Sequence, residues 1–579
     1  MMGMLTASLA SAQTYYFVDK STGSDSSNGT TEATAWRTIQ KALDVAGANS
    51  IVQIKAGTYY ENLTAKQTGT INNPIVYRSY QQDVVIIDGS ATTGSTLLTI
   101  KDKSNLRFEH LTFQNITKNN AKGIYIESGA NSINPASNLY FKRVTVTGIN
   151  WNSSKTKEPK ENNNAQPFIA YGRGTTVSKA ITNLVIDSCE FYNNIPGYSE
   201  VLSIDGNING FTIKNNLVHD NLNIGIYAGG NYEECSVKSL DHSRNGVIEN
   251  NTCYNNVALY ATSGGIYADG AQNVIIRNNR SYNNGYGIDL GCERDGTTDS
   301  ITVINNLIYN NADAGITVGG YDTTTTGQVL GCIIRNNTLY QNDLGKNGSG
   351  EFYLTKASDC VFENNVVYTS SQKVLLSLEN IVPQAGNKFN YNCWYNPTGD
   401  SARLTVNWVD KTYSSYTAYK KATYQDADSK FANPLLAAVP SLNLLAGSPC
   451  INAGNPATVL SSGETDFAGN TRVNGIIDIG AYESTGLVTA VKDILKGRPG
   501  VYVYPNPVKP STTIYLTTPL NNGILEIYDI SGKKTGEIRN ITGTQIHIDG
   551  IPLKKGVYVY KLSQHYSVVA TGKLVSVNE

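Results

Sequence analysis

Charged side chains are scarce in these 579 residues, at 16%, and neither sign prevails, with 46 Lys and Arg against 47 Asp and Glu. Nucleic acid and anionic membranes are both bound through a basic field, so this balance excludes a general binder of either. No run beyond the N-terminus is apolar enough to cross a bilayer, and no membrane span is expected. Eight cysteines in this length are too few for a disulfide scaffold. No CxxC pair or His/Cys cluster has zinc-site spacing, and the five histidines are scattered. Phe is sparse beside Tyr, 12 against 37, while Gly reaches 53 and Asn recurs in pairs. Such a composition suits a large polar β surface better than a helical protein.

What is present is a repeat. From about Ile75 to Leu378 the segments IKNN, IENN, IRNN, VINN, IRNN and FENN recur, with the second Asn at 216, 251, 279, 306, 337 and 365. Three residues beyond each pair stand His219, Tyr254, Tyr282, Tyr309, Tyr340 and Tyr368. Periods near 28 residues, built of short β-branched strands and Asn/Gly corners, mark a solenoid whose coils bury apolar side chains only against their neighbours. The expected fold is all-β: a right-handed, single-stranded parallel β-helix. An Asn repeated at one corner can donate and accept along the stack, so these Asn are read as structural ladders. Cys332 and Cys360 each lie four residues before their Asn pair. They should stack about one strand spacing apart, either bridged or merely packed.

The flanks divide the chain. MMGMLTASLASAQ ends in Ala10-Ser11-Ala12 before Gln13, a small-x-small pattern, so residues 1–12 read as the tail of a signal peptide. Residues 13–440 form the β-helix. It opens with a strand from Tyr15 to Val18 and a helix from about Trp36 to Val45, whose Ile39, Ala42 and Leu43 share one face and would cover the open N-terminal end. The polar helical patch TAYKKATYQDADSKF reads as a lid or side excursion. SPCINAGNP and TDFAGNTRVNGIIDIGAYE, within 441–485, resemble the closing segment of many secreted bacterial β-helix proteins. Residues 486–500 are a linker. Residues 501–579, with short alternating strands and Pro/Gly turns, suggest a small β-sandwich. Their YPNP motif (Tyr504 to Pro507), YDISGK hairpin and GVYVYKL strand resemble the C-terminal sorting domain of the type IX secretion system of Bacteroidota. That resemblance implies the secretion machinery as partner and a secreted or outer-membrane-surface location.

The chemistry is sought where the repeat is broken. Aligning IYIESG, LSIDGN, IYAGGN, IYADGA, IDLGCE, ITVGGY and FYLTKA gives columns in which the first and third residues point inward and the second, fourth and sixth outward. Glu127, Asp205, Tyr227, Tyr267, Asp269, Asp289, Glu293, Tyr321 and Tyr353 then share an open, Tyr-lined outer face. Asp269 and Glu293 fall in adjacent coils, two residues apart along the strand, with Cβ atoms roughly 8 Å apart. Their carboxyl groups could reach the ~5–5.5 Å of a retaining glycosidase or stay at the ~6.5–9.5 Å of an inverting one. Charge on Asp289 would raise the pKa of one partner, as a general acid needs. We take Asp269 and Glu293 as the catalytic pair, with Asp289, Asp205, Tyr227, Tyr267, Tyr321, Tyr353 and Arg294 as substrate-binding residues.

Plainer readings of the same residues stand beside this one. Asp-Gly at 269–270 and 205–206 can be a turn whose carboxylate caps backbone N–H groups. Glu293 with Arg294 can be a solvated ion pair, and outward Tyr can be simple strand formers. No cofactor is required, but Asp205, Asp269, Asp289 and Glu293 could together offer oxygen ligands to Ca²⁺.

The block GIYADGAQNVIIRNN with YGIDLGCE resembles glycoside hydrolase family 120, the β-xylosidase family. The resemblance implies Asp269 as nucleophile, Glu293 as acid/base and a xylan-type β-glycoside from a plant or algal polysaccharide or oligosaccharide. The N-terminal YFVDKSTGSDSSNGT and IKAGTYYEN resemble pectate-lyase-like proteins, which keeps open a Ca²⁺-dependent lyase with Arg173 or Lys356 as base. A non-catalytic glycan-binding β-helix would need the Tyr face alone.

Overall fold

Short strands between Asn- and Gly-rich corners cannot bury an apolar side alone, so each coil must stack on the next. The computed structural model describes residues 12–320, 326–381 and 384–484, together with 501–504, 506–508, 512–548, 550–564 and 567–577. The chain divides at Thr485/Gly486 into two units. The signal-peptide pattern before Ala12, the linker 486–500 and Tyr321 lie outside the described residues.

The first unit is a right-handed parallel β-helix of three long sheets. Strands pair in parallel, coil on coil, up to an antiparallel ribbon of Thr405–Trp408 with Lys411–Tyr413. In one sheet Ile124, Phe168, Leu202, Ile226, Ile266, Ile288, Ile316 and Phe352 pair in a single row. All eight are fully buried. This is the alignment expected from the repeat, with one strand added, Ala165–Gly172, whose coil lacks an Asn pair.

The Asn pairs split their labour. The first of each pair (Asn215, Asn250, Asn278, Asn305, Asn336, Asn364) turns the corner at a φ of 55–57°, a left-handed conformation that Asn tolerates better than most residues. The second is buried and forms the ladder: Asn251, Asn279, Asn306, Asn337, Asn365 and Asn392 each accept, on Oδ1, the backbone and amide N–H groups of the preceding ladder Asn at 2.9–3.1 Å, starting from Asn216, whose own Oδ1 accepts the Cys189 N–H. Beside it the rings of His219, Tyr254, Tyr282 and Tyr309 stack at 4.8–5.1 Å. A second ladder, unread in the sequence, runs through Asn221, Asn256, Asn284, Asn311 and Asn342 and ends on the carboxylate of Glu351. Cys332 and Cys360 stack in register beside the paired Ile333 and Val361, as buried free thiols.

Three expectations about the flanks are met or revised. The N-terminal helix is Ile39–Val45, capped by Thr38, with Ile39, Ala42 and Leu43 buried. The patch read as a lid is instead an end cap. Its helix, Tyr416–Thr423, buries Tyr416 and Tyr419, and Asp426 beyond it receives the Trp394 indole N–H and the Tyr419 hydroxyl. The closing segment does not end the β-helix but runs along its flank. Asn305 and Asn336 donate to the carbonyls of Thr465 and Asp478, and Arg335 forks onto the buried Glu464. Corner residues facing outward have donors to spare, which is why a polar, irregular segment can pack there.

The second unit is an antiparallel five-stranded sheet. Its long strand Thr513–Asp529 carries several bulges that curl the sheet around a core including Leu525, Ile527, Tyr560 and Leu562. The Tyr504 side chain and Pro505 of the YPNP motif lie outside the described residues. Among the described residues no helix is long and apolar enough to cross a membrane.

Candidate active site

Three neighbouring strands build the site: Ile226–Gly229, Gly264–Asp269 and Tyr286–Gly291. Their register sets Tyr227 beside Tyr267 beside Asp289, and Gly229 beside Asp269 beside Gly291. The two glycines matter sterically. A Cβ on Gly229 would lie 2.6 Å from the Tyr227 hydroxyl, and one on Gly291 would lie 2.5 Å from that of Tyr267. Their absence of a side chain lets Tyr227 fold over Gly229 of its own strand and Tyr267 over Gly291 of the neighbouring strand, towards the acids.

The acids meet there. Asp269 Oδ1 accepts the backbone N–H of Glu293 at 2.8 Å, while Oδ2 accepts the hydroxyls of Tyr227 at 3.2 Å and Tyr232 at 2.7 Å. The Tyr232 hydroxyl also lies 3.0 Å from Glu293 Oε2, and the Tyr267 hydroxyl donates to Glu293 Oε1 at 3.3 Å. The two oxygens bridged by Tyr232 are therefore no farther apart than 5.7 Å, the sum of its two contacts. Asp269 has no exposed surface, whereas Glu293 stands exposed at the rim.

The outer face is thus a cleft of about 790 Å³ rather than an open surface. Tyr227 and Tyr267 are only 4% and 6% exposed. The reason is that loops leaving the coils rise around the strands. The loop after Gly229 brings Tyr232, and the segment before Leu202–Gly206 brings Glu200. Asp241 ties the first loop down by accepting the N–H groups of Glu233 and Cys235 at 2.7 and 2.9 Å. Arg294 lies over the Tyr232 ring at 5.0 Å, so it stacks on an aromatic face rather than pairing with Glu293.

Seven residues singled out in the sequence line this cleft: Asp269, Glu293, Asp289, Tyr227, Tyr267, Tyr353 and Arg294. Asp205 does not. It is buried outside the cleft, where its carboxylate accepts the Gly206 N–H at 2.7 Å, so the turn-capping reading of Asp-Gly applies to it. Glu200, Tyr232 and Tyr286 also line the cleft and went unread, because they sit in loops and a strand start that no column of the repeat marks.

Burial dominates the electrostatics. It pushes the Asp269 carboxyl up to about 7, aided by the charge of Glu293 and opposed by its three hydrogen-bond donors. Burial likewise lifts Asp289 to about 7 and Glu200 to about 8. Among the described residues no three His, Cys, Asp or Glu side chains converge as a metal site, so the four acids considered for Ca²⁺ are not gathered around one point. Arg173 is engaged by Glu127 and Glu234, and Lys356 is buried with its ammonium on the Thr326 carbonyl. Neither lines the cleft.

Comparison with known proteins adds three relatives and two family matches. A family model described as a right handed beta helix region matches residues 147–339, and one for a secretion system C-terminal sorting domain matches residues 502–577, which marks the protein as secreted. Pectate lyase PEL9 of Emericella nidulans is 29% identical over 166 residues, 26% of this chain and 37% of that protein. The solved structure of pectate lyase Pel9A shares 15% identity over 81% of this chain and 96% of its own, at a TM-score of 0.42. YwoF of Bacillus subtilis, an uncharacterized protein, is 32% identical over 430 residues, which is 71% of this chain and 86% of YwoF. The chain belongs to the family of YwoF.

Proposed function

We propose that the protein is a retaining glycoside hydrolase acting on a neutral plant or algal glycan, a xylan-type β-glycoside being favoured. One observation carries this reading: two carboxylates whose bridged oxygens lie within 5.7 Å of each other in one cleft. A separation of ~5–5.5 Å suits direct attack by one carboxylate, whereas an inverting pair needs ~6.5–9.5 Å to admit a water molecule. Asp269, buried and accepting three hydrogen bonds, suits the nucleophile. Glu293, at the exposed rim where a leaving group departs and water enters, suits the acid/base. The Tyr227 and Tyr232 phenols hold Asp269 Oδ2 in place by hydrogen bonds. Asp269 then forms a bond to the anomeric carbon while Glu293 protonates the departing oxygen. In the second half-reaction Glu293 takes a proton from water, which displaces Asp269.

The cleft lining is acidic, with Arg294 its one cation among the described residues. A uronate would meet net repulsion there, which favours a neutral sugar and disfavours a uronate lyase. The lyase reading retains the likeness of residues in this chain to PEL9.

The test is a polysaccharide panel with product analysis. Saturated reducing sugars released with retained anomeric configuration are expected, and Asp269→Ala and Glu293→Ala should each abolish release without unfolding the protein. Unsaturated, ultraviolet-absorbing uronates would establish a lyase instead. Full activity in either variant would remove the assignment.

A further inference from the structure

Tyr232 stands between the two acids with a single proton to give. Its hydroxyl is within hydrogen-bond distance of Asp269 Oδ2 and Glu293 Oε2 together, at 2.7 and 3.0 Å. A phenol can donate once and accept besides. Both contacts are satisfied only if one carboxyl carries a proton and donates it to the phenol oxygen, while the phenol donates to the other, ionised carboxylate. With both acids ionised, one carboxylate would face the phenol's lone pairs. With both protonated, the phenol would donate to a neutral carbonyl, a weaker bond. The geometry therefore favours one proton per pair.

We propose that Tyr232 is a positioning residue that stabilises the one-proton state of the Asp269–Glu293 pair, the state a retaining hydrolase needs before substrate arrives. This rests on the hydrolase reading above and adds to it a group outside the pair. The phenol is well placed to do so. Its ring is pinned under Arg294, its loop is anchored by Asp241, and burial next to two acids holds its own pKa far above the ordinary tyrosine value, so it stays protonated while the acids titrate.

The surrounding groups do not duplicate this role. Tyr227 donates to Asp269 alone and Tyr267 to Glu293 alone. Glu200, Asp289 and, more remotely, Asp205 add negative charge around these tyrosines. The Cys292 thiol, pushed up to about 12, stays neutral. Among the described residues Arg294 is the one cation facing the phenol.

The test is Tyr232→Phe, which keeps the ring and its stacking, with Tyr267→Phe as comparison. Two measurements are made: kcat/KM against pH on an aryl glycoside, and carboxyl titration of the substrate-free protein by ¹³C NMR. The kcat/KM profile reports the free enzyme. Loss of the bridge should draw the two limbs towards each other by about one to two pH units each, the worth of a hydrogen bond to a charged group. Tyr267→Phe should move only the limb that belongs to Glu293. Limbs and titration midpoints in Tyr232→Phe that coincide with wild type would overturn the proposal while leaving the hydrolase reading intact. If the midpoints converge but no glycoside is cleaved by the wild type, the proton bridge stands and the hydrolase reading falls.

Discussion

Glu293→Gln is the substitution that best tests whether the two acids form one electrical unit. It removes a charge while keeping the backbone N–H that binds Asp269 and one side-chain oxygen, so one of the Tyr232 and Tyr267 hydroxyls keeps its acceptor and the other meets the amide NH2. Two unit charges no more than 5.7 Å apart repel by at least about 3 kcal/mol at an effective dielectric near 20, or about two pKa units. Burial and Glu293 together push Asp269 up to about 7. Both destabilise the anion, so removing the neighbouring charge lowers the pKa, here to about 5, with burial accounting for what remains. The assay is ¹³C NMR of side-chain carboxyls across pH, with the Asp269 resonance assigned by its loss in Asp269→Asn. A midpoint within half a unit of wild type would mean that burial alone raises Asp269 and that Glu293 is not its partner. That result would remove the catalytic pair, whatever the fold.

The other expectations concern the scaffold around the pair. Asp241→Ala frees the loop that carries Tyr232 by releasing the Glu233 and Cys235 N–H groups. Catalytic misplacement of this kind costs about 10²-fold, so kcat/KM should fall at least tenfold. Asn279→Ala strands the two N–H groups that Asn251 directs at its carbonyl and should cost about 3 kcal/mol or more in chemical denaturation; a loss below about 1 kcal/mol would show that the ladder is ornamental. Asp289 sits near 7 when folded against an ordinary value of 3.8. A carboxyl raised by folding stabilises fully below its unfolded pKa and loses that contribution as pH rises through the folded one. Asp289→Asn should therefore flatten the decline in stability between pH 4 and 7, on the order of 4 kcal/mol, read from denaturation midpoints at each pH.

Much of this could be read from residue order because a solenoid is close to one-dimensional. Each coil repeats its neighbour's contacts, so the spacing of Asn279, Asn306 and Asn337 carries the same information as their stacking. The strand period of two then assigns sides, which is why Tyr227, Tyr267 and Asp289 could be put in one column and Asp269 and Glu293 in adjacent coils. Asp205 occupies the same column as Asp269 and shares its Asp-Gly dipeptide, yet only Asp269 has Tyr227 and Tyr232 over it. Column membership is periodic, while the cover is not.

Residue order alone determined the β-helix, the N-terminal cap, the Asn ladder, the sorting domain and the coils that hold the acids, because each rests on local propensity or on repetition. Only the tertiary structure decided that the Tyr face is a cleft, that Asp205 is buried outside it and that Tyr232 and Glu200 lie in it. Those outcomes depend on loops that leave the repeat, the one carrying Tyr232 being held by Asp241 and by Arg173 through Glu234, long-range contacts that leave no period in the chain. The close approach of Asp269 and Glu293 belongs to both: the register of the strands brought them into adjacent coils, and a phenol from outside the repeat fixed the distance between them.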